Sequence, residues 1–123
     1  IIFTQDMSLE GVISSGVSLD AQVSEPLIES VFNKESPLHD GAMLIAKGRV
    51  KMASCVLPVS ESTEIPKSAG LRHRAAVGIT ERAKVAAFIV SEETGNISFA
   101  YEGVLHRKIS EARLTELLQL YYA

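Results

Sequence analysis

Apolar and polar positions along the chain fall into short blocks whose period changes several times, and each change marks an element. Ile1-Ile2-Phe3-Thr4 is β-branched and aromatic and predicts a strand. Gln5 to Ser8 turns it into a short helical stretch with Ser8 as N-cap and Gly16 as its end, and the alternation of Val17-Ser18-Leu19 predicts a short extended segment. Ser24-Glu25-Pro26 is a stronger helix opening: a capping hydroxyl, an acid in the first turn and a proline near the start. Leu27, Ile28, Val31 and Phe32 then recur with helical spacing, the stripe of a helix that packs on a sheet. Asn33 to Pro37 ends it, and Ser36, preceding a proline, is biased to extended backbone.

Ala42 to Lys47 and Val50 to Leu57 read as two apolar strands joined around Gly48 in an antiparallel hairpin. Strict alternation puts Met52, Ser54 and Val56 on one face and Ala53, Cys55 and Leu57 on the other. Both faces are small or apolar, so the pair belongs inside a sheet rather than at its edge. Pro58 to Ser68 is a polar connection of about ten residues, long enough to count as a functional loop. A helix is expected over Leu71 to Arg82, with Gly70 at its mouth and Gly78 as a weak point within it. Lys84 to Val90 and Ile97 to Tyr101 form a second hairpin around the acidic turn Ser91 to Asn96. Ser110 caps a last amphipathic helix over Ala112 to Gln119, with Leu114, Leu117 and Leu118 inward. The predicted fold is α/β: a central mixed parallel/antiparallel β-sheet of about five to seven strands flanked by helices. Its polar motifs all lie where strands meet loops, which is where open α/β sheets bind ligands.

The length of 123 residues and mass of 13.3 kDa suit a single domain spanning 1–123, with 46% hydrophobic and 22% charged residues. No apolar run approaches the roughly 20 residues of a membrane helix, so a soluble domain is expected. A net charge of -3 without any Lys/Arg block argues against binding a nucleic acid polymer. Cys55 has no partner for an internal disulfide and is expected to be buried in a strand, which suits a reducing compartment. The chain opens within a strand pattern and without Met, so a fragment of a longer protein is expected.

The candidate chemistry lies in three places. In Leu38-His39-Asp40-Gly41-Ala42 an acid stands at a loop-to-strand junction, beside a glycine whose bare backbone a ligand can approach closely. Asp-Gly is also an ordinary turn pair; the junction, with His39 alongside, makes it a candidate metal and phosphate site. Arg72-His73-Arg74 follows Gly70 and combines two guanidiniums with a helix mouth, a good place for phosphates. Its bland alternative is a basic turn paired with Glu81 or Glu92. Ser91-Glu92-Glu93-Thr94-Gly95 matters only if the fold brings it beside Asp40. No Walker or Rossmann glycine pattern is present and no Ser or Cys is placed as a nucleophile. The residues describe a nucleotide triphosphate site that positions substrates and stabilises charge.

Pro37-Leu38-His39-Asp40-Gly41-Ala42, Gly70-Leu71-Arg72-His73-Arg74-Ala75-Ala76-Val77-Gly78-Ile79 and Val90-Ser91-Glu92-Glu93-Thr94-Gly95 together resemble the diadenylate cyclase domain, in that family's order and spacing. The likeness is greatest to its membrane-anchored class, which Leu105-His106-Arg107 also fits. The membrane would then be reached only through an absent N-terminal segment, at the cytoplasmic face. The resemblance implies condensation of two ATP into cyclic di-AMP and two pyrophosphates, at the interface of a face-to-face homodimer. It implies catalytic roles for Asp40, Gly41, Ala42, Arg72, His73 and Arg74. The implied ATP-binding set is Asp40, Gly41, Leu57 at the adenine, Leu71, Arg72, His73, Arg74, Ala75, Ser91 and Glu92. Mg²⁺ or Mn²⁺ is implied, with His39, Asp40 and Glu93 as ligands. Many members have Thr where this chain has Leu71, so a hydroxyl that can donate to phosphate is missing. Two other functions suit the same residues. One is a non-catalytic ATP-binding regulatory module, and the other a metal-dependent phosphohydrolase using His39, Asp40 and Glu93.

Overall fold

The computed structural model describes residues 1–4, 9, 12–13, 15–91 and 93–121. Strand β1 covers Ile2–Thr4, β2 Ser15–Gln22, β3 Ala42–Ala46, β4 Arg49–Val56, β5 Val85–Val90, β6 Ile97–Tyr101 and β7 Val104–His106. Helices α1, α2 and α3 cover Glu25–Phe32, Leu71–Arg82 and Glu111–Tyr121. Among the described residues the strands form one seven-stranded sheet in the order β2-β4-β3-β1-β5-β6-β7. Of the strand pairs among the described residues, β1 and β3 run parallel and the others antiparallel. The mixed α/β sheet expected from the pattern is the one found, with the β3–β4 hairpin inside it.

Alternation along the central strands sends one set of side chains to each face, and the helices cover both. Ile2, Leu44, Cys55, Val85, Ala87, Ile89 and Ala100 pack with Ala76, Val77 and Ile79 of α2. Phe3, Met43, Ile45, Val50, Ala86, Phe88 and Phe99 pack with Val31 of α1 and Leu117 of α3. Ser24 caps α1 by accepting from Leu27 N, and Ser110 caps α3 by accepting from Arg113 N. With α2 on one face and α1 and α3 on the other, both faces of the central strands are covered, while the edge strand β2 stays mostly exposed.

Four expectations need correction. The helical stretch expected from Gln5 lies largely outside the described residues, and Gly16 is no helix end but part of β2. A Cβ on Gly16 would lie 2.9 Å from Met52 Cε and 3.0 Å from Cys55 Sγ, so its bareness lets the edge strand lie close to β4. Secondly, Ala53 and Cys55 do not share a face: Ala53 joins the α1/α3 side and Cys55 the α2 side. Ser54 takes a left-handed φ of 55°, and the pairing shifts from Ala42↔Cys55 to Leu44↔Met52, an extra residue in β4 that breaks the period of two. Thirdly, β7 was not expected; it follows a two-residue turn in which Glu102 and Gly103 have φ of 49° and 79°.

The fourth concerns Gly78, which is a packing requirement rather than a weak point. A Cβ there would overlap the Pro58 carbonyl and come within 2.9 Å of Ser60 N. Because Gly78 is bare, the loop after β4 lies directly on the α2 backbone, and Ser60 N donates to Arg74 O at 2.9 Å. Ser60 Oγ also donates to Glu81 Oε2 at 3.1 Å. Gly78→Ala should therefore destabilise the domain by about 1–3 kcal/mol or more, despite alanine's better helix propensity. Urea denaturation measures it, and an unchanged midpoint would refute the packing role.

Candidate functional site

The strand register assembles the site. Ile2 pairs with Leu44 on one side and Ala87 on the other, so Gly41 and Val90 stand equally far, three residues, beyond those partners toward the same sheet end. Two strand spacings, about 10 Å, separate them. Ala42 pairs with Cys55, which places the ends of the β4 chain, Val56 and Leu57, beside Gly41 and Asp40. Asp40-Gly41, Leu57 and Val90-Ser91 therefore gather at one end of the sheet.

Gly41 has φ 87°, and a Cβ there would lie 2.7 Å from Cys55 O, so no other residue fits this entry into β3. Asp40 is exposed and has no hydrogen-bond or ion-pair partner among the described residues. Half-buried His39 is oriented by Ser36, whose carbonyl accepts from Nδ1 at 2.8 Å. That bond keeps the proton on Nδ1 and leaves the Nε2 lone pair for a ligand, the arrangement common at metal-binding histidines.

The mouth of α2 comes to the same sheet end because Arg72 Nη1 donates to Val90 O at 2.9 Å. Gly70 stands at the N-cap with no side-chain cap, and Leu71, the first helical residue, is 74% exposed. Open N–H groups and the positive end of the helix dipole thus face outward beside Arg72 and His73. Arg74 does something different: its Nη1 donates to Ser60 O at 3.4 Å and Ser62 O at 3.2 Å, holding the loop against the helix. Ala75 is half-buried on the next step of α2.

The third motif is a compact turn. Ser91 Oγ accepts from Glu93 N and Thr94 N, each at 3.3 Å, while Ser91 N donates to Asn96 O at 3.0 Å. Glu93 is exposed in that turn, and Glu92 lies outside the described residues. Among the described residues, no three His, Cys, Asp or Glu side chains come together as a metal site, so His39, Asp40 and Glu93 do not form a ready-made cage. The donors available, the Asp40 carboxylate and the His39 imidazole beside it in the chain, fit an ion that takes its remaining ligands from phosphate and water.

Arg107, which the pattern of the chain did not single out as a site residue, also reaches this end. Its Nη1 donates to Ser68 Oγ at 3.0 Å, two residues before the α2 cap. Partial burial first, and then the charges of Arg107 and Arg72, hold the His73 imidazole below its ordinary value of 6.5. Its neighbourhood is thus short of negative charge.

Residues 1–105 match the family DAC, described as DisA bacterial checkpoint controller nucleotide-binding, and the chain belongs to that family. Cyclic di-AMP synthase CdaA of Bacillus subtilis is 44% identical over 115 residues, 94% of this chain and 42% of the relative. Diadenylate cyclase CdaS of Bacillus thuringiensis is 42% identical over 106 residues, 86% of this chain and 53% of the relative. The crystal structure of a double mutant of DacA from Staphylococcus aureus superposes with a TM-score of 0.92 at 43% identity, covering 98% of this chain and 81% of that one. The chain spans about half the length of these curated relatives. Among the described residues, no helix is long and apolar enough to cross a membrane.

The His73 environment has a measurable consequence. Unfolding returns the imidazole to its ordinary value, so between the lowered value and 6.5 the unfolded chain binds more protons than the folded one. This contribution to stability is present above pH 6.5 and is lost as pH falls through the lowered folded value. In an NMR titration, His73 should titrate below 6.5 in the free protein and move upward when a triphosphate is added. A titration at or above the ordinary value in the free protein would contradict the assigned surroundings.

Proposed function

We propose that the domain is a diadenylate cyclase that condenses two ATP into cyclic di-AMP and two pyrophosphates, each protomer of a face-to-face homodimer holding one ATP. The observation that carries this is the strand register, which gathers Asp40-Gly41, Leu57 and the Arg72-His73 helix mouth at one sheet end. Bare backbone at Gly41 lets a sugar and α-phosphate approach, and half-buried Leu57 is suited to an adenine. Arg72 and the α2 mouth hold phosphate oxygens, with neutral His73 as a hydrogen-bonding group. Asp40 orients the 3'-hydroxyl and helps remove its proton as that oxygen attacks the α-phosphorus of the other nucleotide and the bond to pyrophosphate breaks. Mg²⁺ or Mn²⁺, held by Asp40 with His39, Glu93 and phosphate oxygens, would neutralise charge on the triphosphate.

On this reading the attacking oxygen belongs to a second bound nucleotide rather than to a side chain. Val56, Leu71 and Val90, exposed by 52%, 74% and 53%, supply apolar surface on the β4, α2 and β5 elements of the site, suited to closure by a second protomer. Asp20, Arg49 and Lys51 pair at the opposite end of the sheet and take no part.

With ATP and Mn²⁺, the rate of cyclic di-AMP formation, followed by chromatography and mass, should rise about as the square of protein concentration wherever the dimer is weakly populated. Asp40→Asn should abolish it. ATP that binds but stays intact at every concentration would favour the regulatory module, and phosphate release linear in protein the phosphohydrolase.

Leu71 is the departure from the resemblance, and its exposure means that little packing is lost on replacement. Leu71→Thr restores a hydroxyl that can donate to phosphate. A hydrogen bond to a charged group contributes about 1.5–3 kcal/mol, so kcat/KM should rise roughly tenfold or more. An unchanged kcat/KM would show that the backbone N–H of residue 71 already suffices.

A further inference from the structure

We propose that Arg107 grips the distal, β- and γ-phosphates of the bound ATP and the pyrophosphate that leaves; this rests on the cyclase reading above. Its position follows from the sheet. Val90 pairs with Ile97, and Phe99 with His106, so β7 runs toward the site end and delivers Arg107 opposite Ser98, one step short of Val90. The chain stays at that level beyond β7: Ile109 N donates to Ile97 O at 2.9 Å, and Lys108 turns it with a φ of 55°.

The face is equally defined. Leu105 packs on the α2 side and His106 stacks on Phe99 on the other, so alternation returns Arg107 to the α2 side. There it meets Ser68 Oγ at 3.0 Å, at the approach to the helix mouth. Along the sheet end the order of groups is then Asp40 on the entry to β3, Arg72 at the end of β5, and Arg107 beyond β7. A triphosphate whose α-phosphate lies near Asp40 extends along this row toward Arg107.

The three guanidiniums differ in what they have left to give. Arg74 is engaged by the carbonyls of Ser60 and Ser62, and Arg72 spends a donor on Val90 O. Arg107 is exposed, touches a neutral hydroxyl, and has no carboxylate partner among the described residues. Its charge also reaches His73, so it adds to the positive field of the same mouth. An exposed, directed guanidinium with most of its N–H donors open suits a doubly charged terminal phosphate.

Isothermal calorimetry with Mn²⁺ on the wild type, Arg107→Ala and Arg107→Lys tests the role, using ATP in the form of its α,β-methylene analogue, which cannot release pyrophosphate, and cyclic di-AMP, which has no distal phosphates. ATP affinity should fall at least tenfold in Arg107→Ala and recover in part in Arg107→Lys, while cyclic di-AMP affinity stays within twofold and certifies the fold. Equal loss for both ligands, or for neither, with a wild type that binds ATP, would overturn the distal-phosphate role alone. A wild type that binds no ATP would overturn the cyclase reading and this role together. In the same Arg107→Ala protein, the His73 titration should move upward; an unmoved titration would refute the placement of the guanidinium.

Discussion

The contact of the Pro58 carbonyl with the bare backbone at Gly78 sets where the loop after β4 and the mouth of α2 stand relative to each other. It brings the loop after β4 against α2 at closer range than any side chain would permit, and Ser60 N to Arg74 O continues the contact toward the helix mouth. Arg74 and Glu81 then clasp the same loop from two points along the helix. Since β4 is paired in the sheet and α2 packs on it, this contact couples the end of β4, with Leu57, to the position of the helix mouth. Gly103 N donating to Thr80 Oγ1 at 3.1 Å ties the β6–β7 turn to the same helix. The helix is thus fixed to its surroundings on two sides.

Backbone bareness and left-handed turns recur at the other decisive point. Gly41 turns into β3 beneath Cys55 O, and Ser54 adopts a left-handed φ in the facing strand. The bulge turns β4 so that Cys55 joins the α2 side while Ala53 stays on the other. Burial raises the Cys55 thiol to about 11, so it stays protonated and inert at neutral pH. It is a small core residue under the entry to β3.

Long, periodic elements were legible in the residues: the Ser24-capped helix, the 42–57 hairpin, the 71–82 helix and the hairpin around Ser91 to Asn96. What escaped were features that rest on tertiary contact. The eight residues of β2 are mostly exposed and, among the described residues, pair with β4 alone, so their alternation is faint and only Val17 to Leu19 read as extended. A three-residue strand such as β7 has too few positions to show a period. Gly78 looked like a helix defect because sequence alone shows the cost to the helix and not the neighbour that needs the space. Of the site, the juxtaposition of Asp40 with Arg72 could be guessed from motif order, but its physical cause, β1 inserting between β3 and β5, belongs to the strand order. Arg107 was legible only as part of a resemblance, since its place beside Ser68 requires β7.

The electrostatics at the α2 mouth suggest why the site carries a histidine between two arginines. Partial burial first, and then the charges of Arg107 and Arg72, make His73 resist a further positive charge in the free protein, so that it offers a neutral donor or acceptor. On the cyclase reading, bound phosphates would reverse that balance, because the same ring would then face anions as well as cations and its proton affinity would rise. A permanent third cation would hold the empty mouth at a constant positive charge, whereas a ring that takes up its proton with the ligand adds positive charge only where phosphate has arrived. Phosphate affinity would then rise as pH falls toward the imidazole range, with burial first and the charges of Arg107 and Arg72 next setting the free ring's starting point.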